Sequence, residues 1–427
     1  MGHTRARARK RRGLLRRAPP TNVLRTTQGG CFMTESGNPA QPANVSVNEY
    51  TAAHIQVLEG HEAIRRRPGM YVGSTGERGL HHMVYEVVSY AVDEHMAGHA
   101  DAIGVTITAD GGIRVADNGR GLPVEAEEPT GTSAVERELT ELNFGSRPHT
   151  GYGVSGGLGG VGLCAVNALS SRLTVEVRRD GHRWTQEYRK GVAVTALTRK
   201  EETSEHGTTI AFLPDAGIFE TGRFSFATLS ERLQELAFLN GGLAVSLTDE
   251  RPQRPVRHHH PDGLRAYVAR LNPYPASHLH SPAIGFESEN ESRTISVQVA
   301  MQWNTWSPGE LHSFANSTRT REGGAHEEGF RTALTDLVND YARRHGMLSA
   351  DDEDIPAGAV REGLTAVVSV KLAHPVFEGS TRTRLRNPDA GTYVQEVVRT
   401  HLTDWLDHHQ KEAESIVRRI LRATPPR

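Results

Sequence analysis

Apolar side chains recur with helical spacing over residues 79–97. One stripe of this segment is apolar and consists of Leu80, Val84, Val87, Val88 and Ala91. A second face, at i, i+3, i+4 and i+7 spacing, carries Glu86, Ser89, Tyr90 and Asp93. The pattern therefore predicts a helix that buries one side and presents a row of polar side chains on another.

Alternating apolar positions predict strands after this helix. Residues 103–107 and 113–117 flank Gly111-Gly112, which predicts a β-hairpin. Asp117 falls on the same side as the apolar residues of the second strand, so it is a carboxylate at the edge of a buried face. Further strand patterns occupy residues 173–188 (a hairpin that turns at Asp180-Gly181), 208–214, 293–303 and 364–372.

The rest of the chain predicts a linker and two more helices. Charged and His-rich residues 249–262 are typical of a linker between domains. Within it we expect His258–His260 in solvent, because no second cluster at metal-ligand spacing accompanies them. One amphipathic helix contains Phe330, and a long helix over 390–422 ends before Pro425-Pro426.

The composition is that of an ordinary folded protein. Of 427 residues, 37% are hydrophobic and 23% are charged, which excludes disorder, collagen and coiled coil. No stretch approaches the roughly 18 apolar residues of a membrane-spanning helix, so we expect no membrane partner. Cys31 and Cys164 form no metal-ligand spacing and indicate a reducing compartment. We therefore expect a cytoplasmic protein.

Positive charge is concentrated at the N-terminus, where nine Lys or Arg precede Glu35. One interpretation is a basic arm that contacts nucleic-acid phosphates. We favour the other, an over-extended start, because Met33 stands just before an ordinary polar leader. Arg16, Arg17 and Pro19-Pro20 interrupt the apolar core of any export signal, so none is expected. Residues 1–47 are predicted to be a disordered basic and polar arm.

The glycine-rich run GYGVSGGLGGVG, residues 151–162, is the most prominent local motif. Glycine lets backbone N–H groups approach an anion closely. No strand pattern precedes the run, as a dinucleotide-binding fold requires, and no GxxxxGK[ST] P-loop occurs. On its own, the run is as consistent with a flexible loop as with an anion-binding loop.

The order of the motifs is more specific than any one of them. The helix carrying Glu86 is followed by DNGRGLP (117–123), by the glycine-rich run, and by Gly207-Thr208 leading into a strand. This order resembles the Bergerat ATP-binding fold of the GHKL family, specifically the B subunits of DNA gyrase and topoisomerase IV. The resemblance covers essentially all of residues 48–422, through RRRPGMYVGSTGERGLHHMVYEVV (65–88), WNT (303–305) and EGGAHEEGF (322–330).

The resemblance implies an α+β chain of two domains. A GHKL ATP-binding domain would cover 48–255, with an eight-stranded mixed sheet backed by helices. A transducer domain resembling ribosomal protein S5 domain 2 would cover 256–427 and include the long C-terminal helix.

The resemblance also implies an ATP site. Asp117 would accept the exocyclic N–H of adenine, and Glu86 would be the general base that activates water. Arg382 takes the place of a lysine that reaches the γ-phosphate. Residues implied to surround the nucleotide are Tyr50, Tyr71, Gly119, Gly121, Arg147, Gly157, Leu158, Gly160, Val161, Gly162 and Thr208. The residues alone also allow Asp117 to be a turn aspartate and Glu86 a solvated helix-face glutamate.

The sequence departs from the family at several of these positions. Tyr90 stands where the family has an asparagine that holds Mg²⁺, and a phenol is a poor ligand for a hard cation. Glu138 and Glu141 occupy positions that are usually apolar. We therefore expect nucleotide binding with slow or absent hydrolysis.

Three functions remain open at this point. The first is an ATP-gated clamp of the type II topoisomerase B-subunit kind, which would form a homodimer through the N-terminal arm. Its partners would be DNA and either the gyrase A protein or a separate chain with a TOPRIM domain. The separate chain is considered because no TOPRIM acidic motif occurs in this sequence. The second is a hydrolysis-deficient regulator or decoy of gyrase that binds nucleotide or inhibitor, with Arg179 at an inhibitor-contacting position. The third is a truncated remnant without activity.

Overall fold

The computed structural model describes residues 60–127, 131–142, 162–306, 308–378 and 382–423, all within one compact unit that spans 57–427. The helices are α1 Gly60–Arg66, α2 Gly69–Val72, α3 Glu77–Met96, α4 Ala134–Thr140, α5 Gly162–Ala168, α6 Phe226–Leu239, α7 Gly263–Leu271, α8 Ala325–Arg344, α9 Ala357–Val360, α10 Pro388–His408 and α11 Gln410–Ala423. The strands are β1 Ala102–Ile107, β2 Ile113–Asp117, β3 Ala126–Glu127, β4 Thr132–Ser133, β5 Ser170–Arg179, β6 His182–Arg189, β7 Val192–Ala193, β8 Thr198–Glu202, β9 Gly207–Pro214, β10 Ala244–Asp249, β11 Arg254–His259, β12 Ile284–Asn290, β13 Ile295–Trp303, β14 Glu310–Ala315, β15 Thr318–Arg319 and β16 Leu364–Leu372.

The larger sheet contains nine strands among the described residues. Their order is β11-β10-β1-β2-β9-β5-β6-β7, and β8 pairs with β6. Neighbouring strands are antiparallel except β1 and β10, which run parallel. Helices α3, α5 and α6 contribute to one apolar core with these strands. The predicted helix over 79–97 and the hairpins at 103–117 and 173–188 are confirmed. The expectation of eight strands is wrong.

The additional strand comes from the segment expected to be a linker. β11 lies at the edge of the sheet. Proline is tolerated at position 255 because an edge strand does not need every backbone N–H to pair with a neighbouring strand. Most of its side chains are exposed, so its composition resembles that of a loop. The expected solvent exposure is also wrong for His258, which is buried with its Nε2 3.1 Å from the Ser230 Oγ. The His260 ring stacks on Phe238.

The smaller sheet has the order β12-β13-β16-β14-β15 and is covered on both faces. Helices α8, α10 and α11 share one apolar core with it, as the apolar periodicity of those helices predicts. On the opposite face, Phe238 and Leu239 of α6 join Leu264 of α7 and Val367 of β16 in a third cluster. The Lys371 Nζ on β16 also donates a hydrogen bond to the Asn240 Oδ1 at 3.2 Å. Apolar packing therefore joins the two sheets.

The predicted long C-terminal helix is interrupted. α10 ends at His408, His409 has φ −122° and ψ 51°, and α11 begins at Gln410. The apolar positions keep helical spacing across the break, which is why the sequence predicts one helix. The Nδ1 atoms of His408 and His409 lie 2.7 and 2.9 Å from the carbonyl oxygens of Asp404 and Trp405. The backbone N–H of His409 still donates to the Trp405 carbonyl oxygen at 2.9 Å, so the interruption lies in the dihedral angles of His409.

No helix among the described residues is long and apolar enough to cross a bilayer.

Candidate functional site

Asp117 is the last residue of β2 and is buried, at 6% exposure. β9 runs antiparallel to β2 and brings Thr208 beside it. The Asp117 Oδ1 accepts hydrogen bonds from the backbone N–H groups of Gly119 at 2.8 Å and Thr208 at 3.2 Å. Burial raises the pKa of Asp117 to about 6, and the two N–H donors oppose this rise. The carboxylate is therefore fixed in position and ionised at neutral pH.

Glycines allow the backbone to close around this carboxylate. Gly207 has φ 125°, in the region that favours glycine, and a Cβ there would overlap the Asp117 carbonyl oxygen. Gly121 has φ 80°, and a Cβ there would lie 2.9 Å from the Arg178 carbonyl oxygen. The Gly121 carbonyl oxygen accepts a hydrogen bond from the Arg179 Nη1 at 2.8 Å. The DNGRG turn thus lies directly against β5 and β9.

The same turn is tied to α3 by a buried carboxylate. Glu94 accepts hydrogen bonds from the Arg120 backbone N–H at 2.9 Å and from its Nη2 at 2.7 Å. Burial would raise the pKa of Glu94, but these hydrogen bonds outweigh it and hold the pKa below its usual value. A Cβ at Gly119 would lie 2.9 Å from Glu94, so the turn approaches the helix only with glycine.

Glu86 lies two turns before Glu94 on α3 and is also buried, at 6% exposure. Its Oε1 is 3.1 Å from the His82 Nε2, one turn earlier on the same helix. Its Oε2 faces the first residue of α5, since a Cβ at Gly162 would lie 2.6 Å from that oxygen. The imidazole and the close backbone of α5 therefore fix the orientation of the carboxylate.

Arg382 comes from the region of the smaller sheet, and its charge interacts with that of Glu86. Its guanidinium lies 5.6 Å from the Phe377 ring centroid. Burial lowers the pKa of Arg382, and the nearby negative charge of Glu86 offsets part of that effect. The structure thus brings a cation and a carboxylate together from opposite parts of the chain.

Tyr90 lies one turn beyond Glu86 on α3. Its side chain is partly buried against the larger apolar core. Burial, followed by the negative charges of Asp117, Glu94 and Glu138, raises the pKa of Tyr90 well above its usual value. The phenol is therefore neutral at physiological pH.

These residues do not fit the Mg²⁺ that the family resemblance implies. A neutral phenol offers a hard cation much less than an amide or carboxylate oxygen. Within the described ranges, no group of three His, Cys, Asp or Glu side chains could hold a metal ion.

Glu138 on α4 is one of the two carboxyl groups that the sequence places at usually apolar positions. Burial raises its pKa to about 7. Its charge influences both Tyr90 on α3 and Cys164 on α5, and burial together with that charge raises the pKa of Cys164 to about 12.

The structure brings together only part of the predicted set. Glu86, Tyr90, Asp117, Gly119, Gly121, Gly162, Thr208 and Arg382 converge around α3. Tyr71 on α2 packs against the same apolar core. The remaining predicted residues, which are Tyr50, Arg147, Gly157, Leu158, Gly160 and Val161, lie outside the described residues. The assigned roles of all these residues stay predictions.

Sequence reasoning did not identify His82 or Glu94 as parts of the site. His82 could have been found, because it precedes Glu86 by four positions on a predicted helix. Glu94 carries no such signal, since its partner Arg120 belongs to a later turn.

Comparisons with known proteins agree with this architecture. The family described as histidine kinase-, DNA gyrase B-, and HSP90-like ATPase matches residues 75–218, and the DNA gyrase B family matches residues 263–427. The DNA gyrase B protein of Streptomyces coelicolor is 48% identical over 92% of this chain and 62% of its own length. The chain therefore spans less than two thirds of that relative.

Solved structures extend the agreement to the fold. The 43K ATPase domain of Thermus thermophilus gyrase B, solved in complex with an aminocoumarin, has a TM-score of 0.75 and 33% identity, covering 86% of this chain and 95% of that one. The topoisomerase IV ATP-binding domain of Francisella tularensis has a TM-score of 0.71 and 27% identity, covering 86% and 97%. These matches confirm the predicted α+β GHKL ATPase fold, and the chain belongs to the DNA gyrase B family.

Proposed function

We propose that this chain binds ATP between α3 and the DNGRG turn and acts as the nucleotide-gated part of a type II topoisomerase. The observation that carries the proposal is the buried Asp117 carboxylate, fixed by the N–H groups of Gly119 and Thr208. Within the described residues, both of these hydrogen bonds go to Oδ1. The Oδ2 atom is thus the acceptor for the exocyclic amino group of adenine.

The groups for water activation are only partly in place. Glu86, oriented by His82, would take a proton from the attacking water, and Arg382 would neutralise charge on the terminal phosphate. The neutral Tyr90 supplies no ligand for the metal that would share this charge. We therefore propose that the chain binds ATP and hydrolyses it slowly.

Assembly and partners are proposed from the relatives. A homodimer would form through the N-terminal arm that contains Tyr50, and its partners would be the gyrase A protein, a separate TOPRIM-containing chain and DNA. The proposed division places an ATPase domain before a transducer domain, near residue 255. Because β11 continues to His259 and the DNA gyrase B family match begins at residue 263, we propose to move this boundary to about residue 260.

The second candidate is a regulator or decoy that binds nucleotide or inhibitor without turnover. The misfit of Tyr90 with Mg²⁺ favours it, and the Thermus relative was solved with an aminocoumarin. Arg179, the residue proposed to contact such inhibitors, is held at Gly121 beside the base site. Turnover measurements separate the two candidates.

Binding of a non-hydrolysable ATP analogue, measured by calorimetry with and without Mg²⁺, tests the proposed function. Asp117→Asn is expected to weaken binding about thirtyfold, because it replaces a charge-assisted hydrogen bond and offers an N–H where an acceptor is needed. Asp249→Asn is the matched control, since Asp249 is a buried carboxylate that ends β10 of the same sheet. Equal affinities of the wild type and Asp117→Asn would exclude this base site.

Nucleotide affinity is also expected to depend on pH. The amino group of adenine requires the ionised Asp117, whose pKa is about 6 without ligand. Adenine binds the ionised form of Asp117, so the affinity reaches its maximum above this pKa. It decreases as the pH falls below the pKa and Asp117 becomes protonated. At pH 5 we expect binding about tenfold weaker than at pH 8. The Asp117→Asn variant should lack this dependence, and a flat wild-type profile would contradict the assignment.

A further inference from the structure

Arg382 has an unusual backbone conformation. Its φ of 54° lies in the left-handed region, which residues other than glycine rarely adopt. Its guanidinium lies over the Phe377 ring, 5.6 Å from the centroid. A backbone conformation of this kind persists only where the surrounding structure holds it. The contacts on either side of Arg382 therefore indicate what positions it.

The residue after Arg382 is held at two points by Glu322. The Glu322 backbone N–H donates a hydrogen bond to the Thr383 carbonyl oxygen at 2.9 Å. The Thr383 hydroxyl donates to the Glu322 Oε2 at 3.0 Å. Because one bond fixes the backbone of Thr383 and the other its side chain, Arg382 is joined to a fixed residue.

The pairing continues to Leu385. Its N–H donates to the Gly323 carbonyl oxygen at 3.1 Å, and its own carbonyl oxygen accepts the Ala325 N–H at 3.0 Å. Gly324 lies between these partners with φ 136°, and a Cβ there would overlap the Leu385 carbonyl oxygen. Phe377 forms a second bridge to Leu385. The ring beneath the Arg382 guanidinium is thus attached to the same pairing.

The segment that carries Glu322 is anchored in the smaller sheet. The hydroxyl of Ser313 on β14 donates to the Glu327 Oε2 at 2.6 Å and lies 2.8 Å from the Thr320 Oγ1. The Thr320 Oγ1 is in turn 3.1 Å from the Nε2 of His326, and Ser313, Thr320 and His326 are all buried. Buried polar groups linked in this way specify one arrangement. Glu322 therefore extends from a fixed base.

We propose that Glu322 is a positioning residue, which holds Arg382 through Thr383 so that the guanidinium meets the terminal phosphate of a bound nucleotide. The inference rests on the proposed ATP site and on the role given there to Arg382. Glu322 accordingly favours a triphosphate over a diphosphate, because only the triphosphate carries the group that Arg382 contacts.

Calorimetric titration of the full chain with a non-hydrolysable ATP analogue and with ADP tests the inference. Glu322→Ala loses the side-chain hydrogen bond and keeps the backbone one. We expect it to bind the analogue about threefold more weakly and ADP unchanged. Arg382→Ala defines the largest loss, which we expect to be about tenfold and also confined to the analogue. Removing a negative charge would by itself strengthen binding of the more highly charged nucleotide, so a loss identifies positioning.

Two further variants separate the hydrogen bond from the charge. Glu322→Gln keeps an oxygen that accepts the Thr383 hydroxyl and should retain the wild-type ratio of the two affinities. Thr383→Val should lose as much as Glu322→Ala, and the double variant should lose no more, because both changes break the same bond. Glu328→Gln is the matched control, since the exposed Glu328 binds the Arg384 Nη2 instead. It should leave both affinities unchanged.

An unchanged ratio of affinities in Glu322→Ala, or an equal loss for both nucleotides, would overturn the positioning role while leaving the nucleotide site intact. A wild type that binds neither nucleotide would show that the proposed function itself is wrong. If Glu322→Ala does not fold, as judged by circular dichroism, Thr383→Val against Glu328→Gln decides the question.

Discussion

ATP turnover is expected to rise at least about 100-fold when Tyr90 is replaced by Asn, and to fall back when Glu86→Gln is added to the same chain. An asparagine offers the amide oxygen that a hard cation prefers, and bound Mg²⁺ contributes several kcal/mol to stabilising a phosphoryl transition state. Loss of a general base typically costs about 10²–10⁴-fold. Steady-state turnover at saturating ATP and Mg²⁺ measures both effects as kcat.

Glu77→Gln in the Tyr90→Asn chain is the control for the second substitution. Glu77 lies on the same helix with its side chain 60% exposed, so its replacement should preserve the gained activity. Turnover that persists in the Glu86→Gln double variant would remove Glu86 from the mechanism. A wild type that already hydrolyses ATP as fast as its relatives would show that Tyr90 does not impair the site.

Glu138→Gln is expected to stabilise the protein at pH 8 by about 3 kcal/mol and to leave its stability at pH 4.5 nearly unchanged. Burial raises the pKa of Glu138 from its usual 4.5 to about 7. The stability that this group contributes is fully present below pH 4.5 and is lost as the pH rises through 7. A glutamine has no proton to lose, so the variant escapes this penalty.

Urea denaturation at several pH values between 4.5 and 8 measures the effect. Glu141→Gln on the exposed segment after α4 is the matched control and should follow the wild-type profile, because its carboxylate stays in solvent beside Arg137. If the difference in unfolding free energy between wild type and Glu138→Gln is the same at both ends of this range, Glu138 is not a buried ionisable group.

The sequence predicts those parts of the fold that follow from local periodicity. Alternation along β2 places Asp117 on the buried side, and helical spacing on α3 puts Glu86 and Tyr90 on one face. Periodicity fails for β11, because an edge strand with most side chains in solvent has the composition of a loop. It also fails at His409, whose non-helical dihedral angles interrupt the helix although the apolar positions keep their spacing.

The site depends on tertiary contacts that local patterns do not encode. Nothing in the residues around Arg382 indicates that its guanidinium lies near Glu86, and only the family resemblance led to that expectation. The packing of Tyr90 against the larger apolar core is outside both sources, because the family position predicts only a lost metal ligand.

The apolar cluster between the two sheets has a consequence for the proposed ATP turnover. Phe238 and Leu239 pack in the same cluster as Val367, and the strand bearing Val367 leads towards the loop of Arg382. A tilt of one sheet against the other would therefore alter the separation between the Arg382 guanidinium and the Glu86 carboxylate. We accordingly expect substitutions in this cluster, although they lie away from the proposed nucleotide site, to change any rate of ATP turnover.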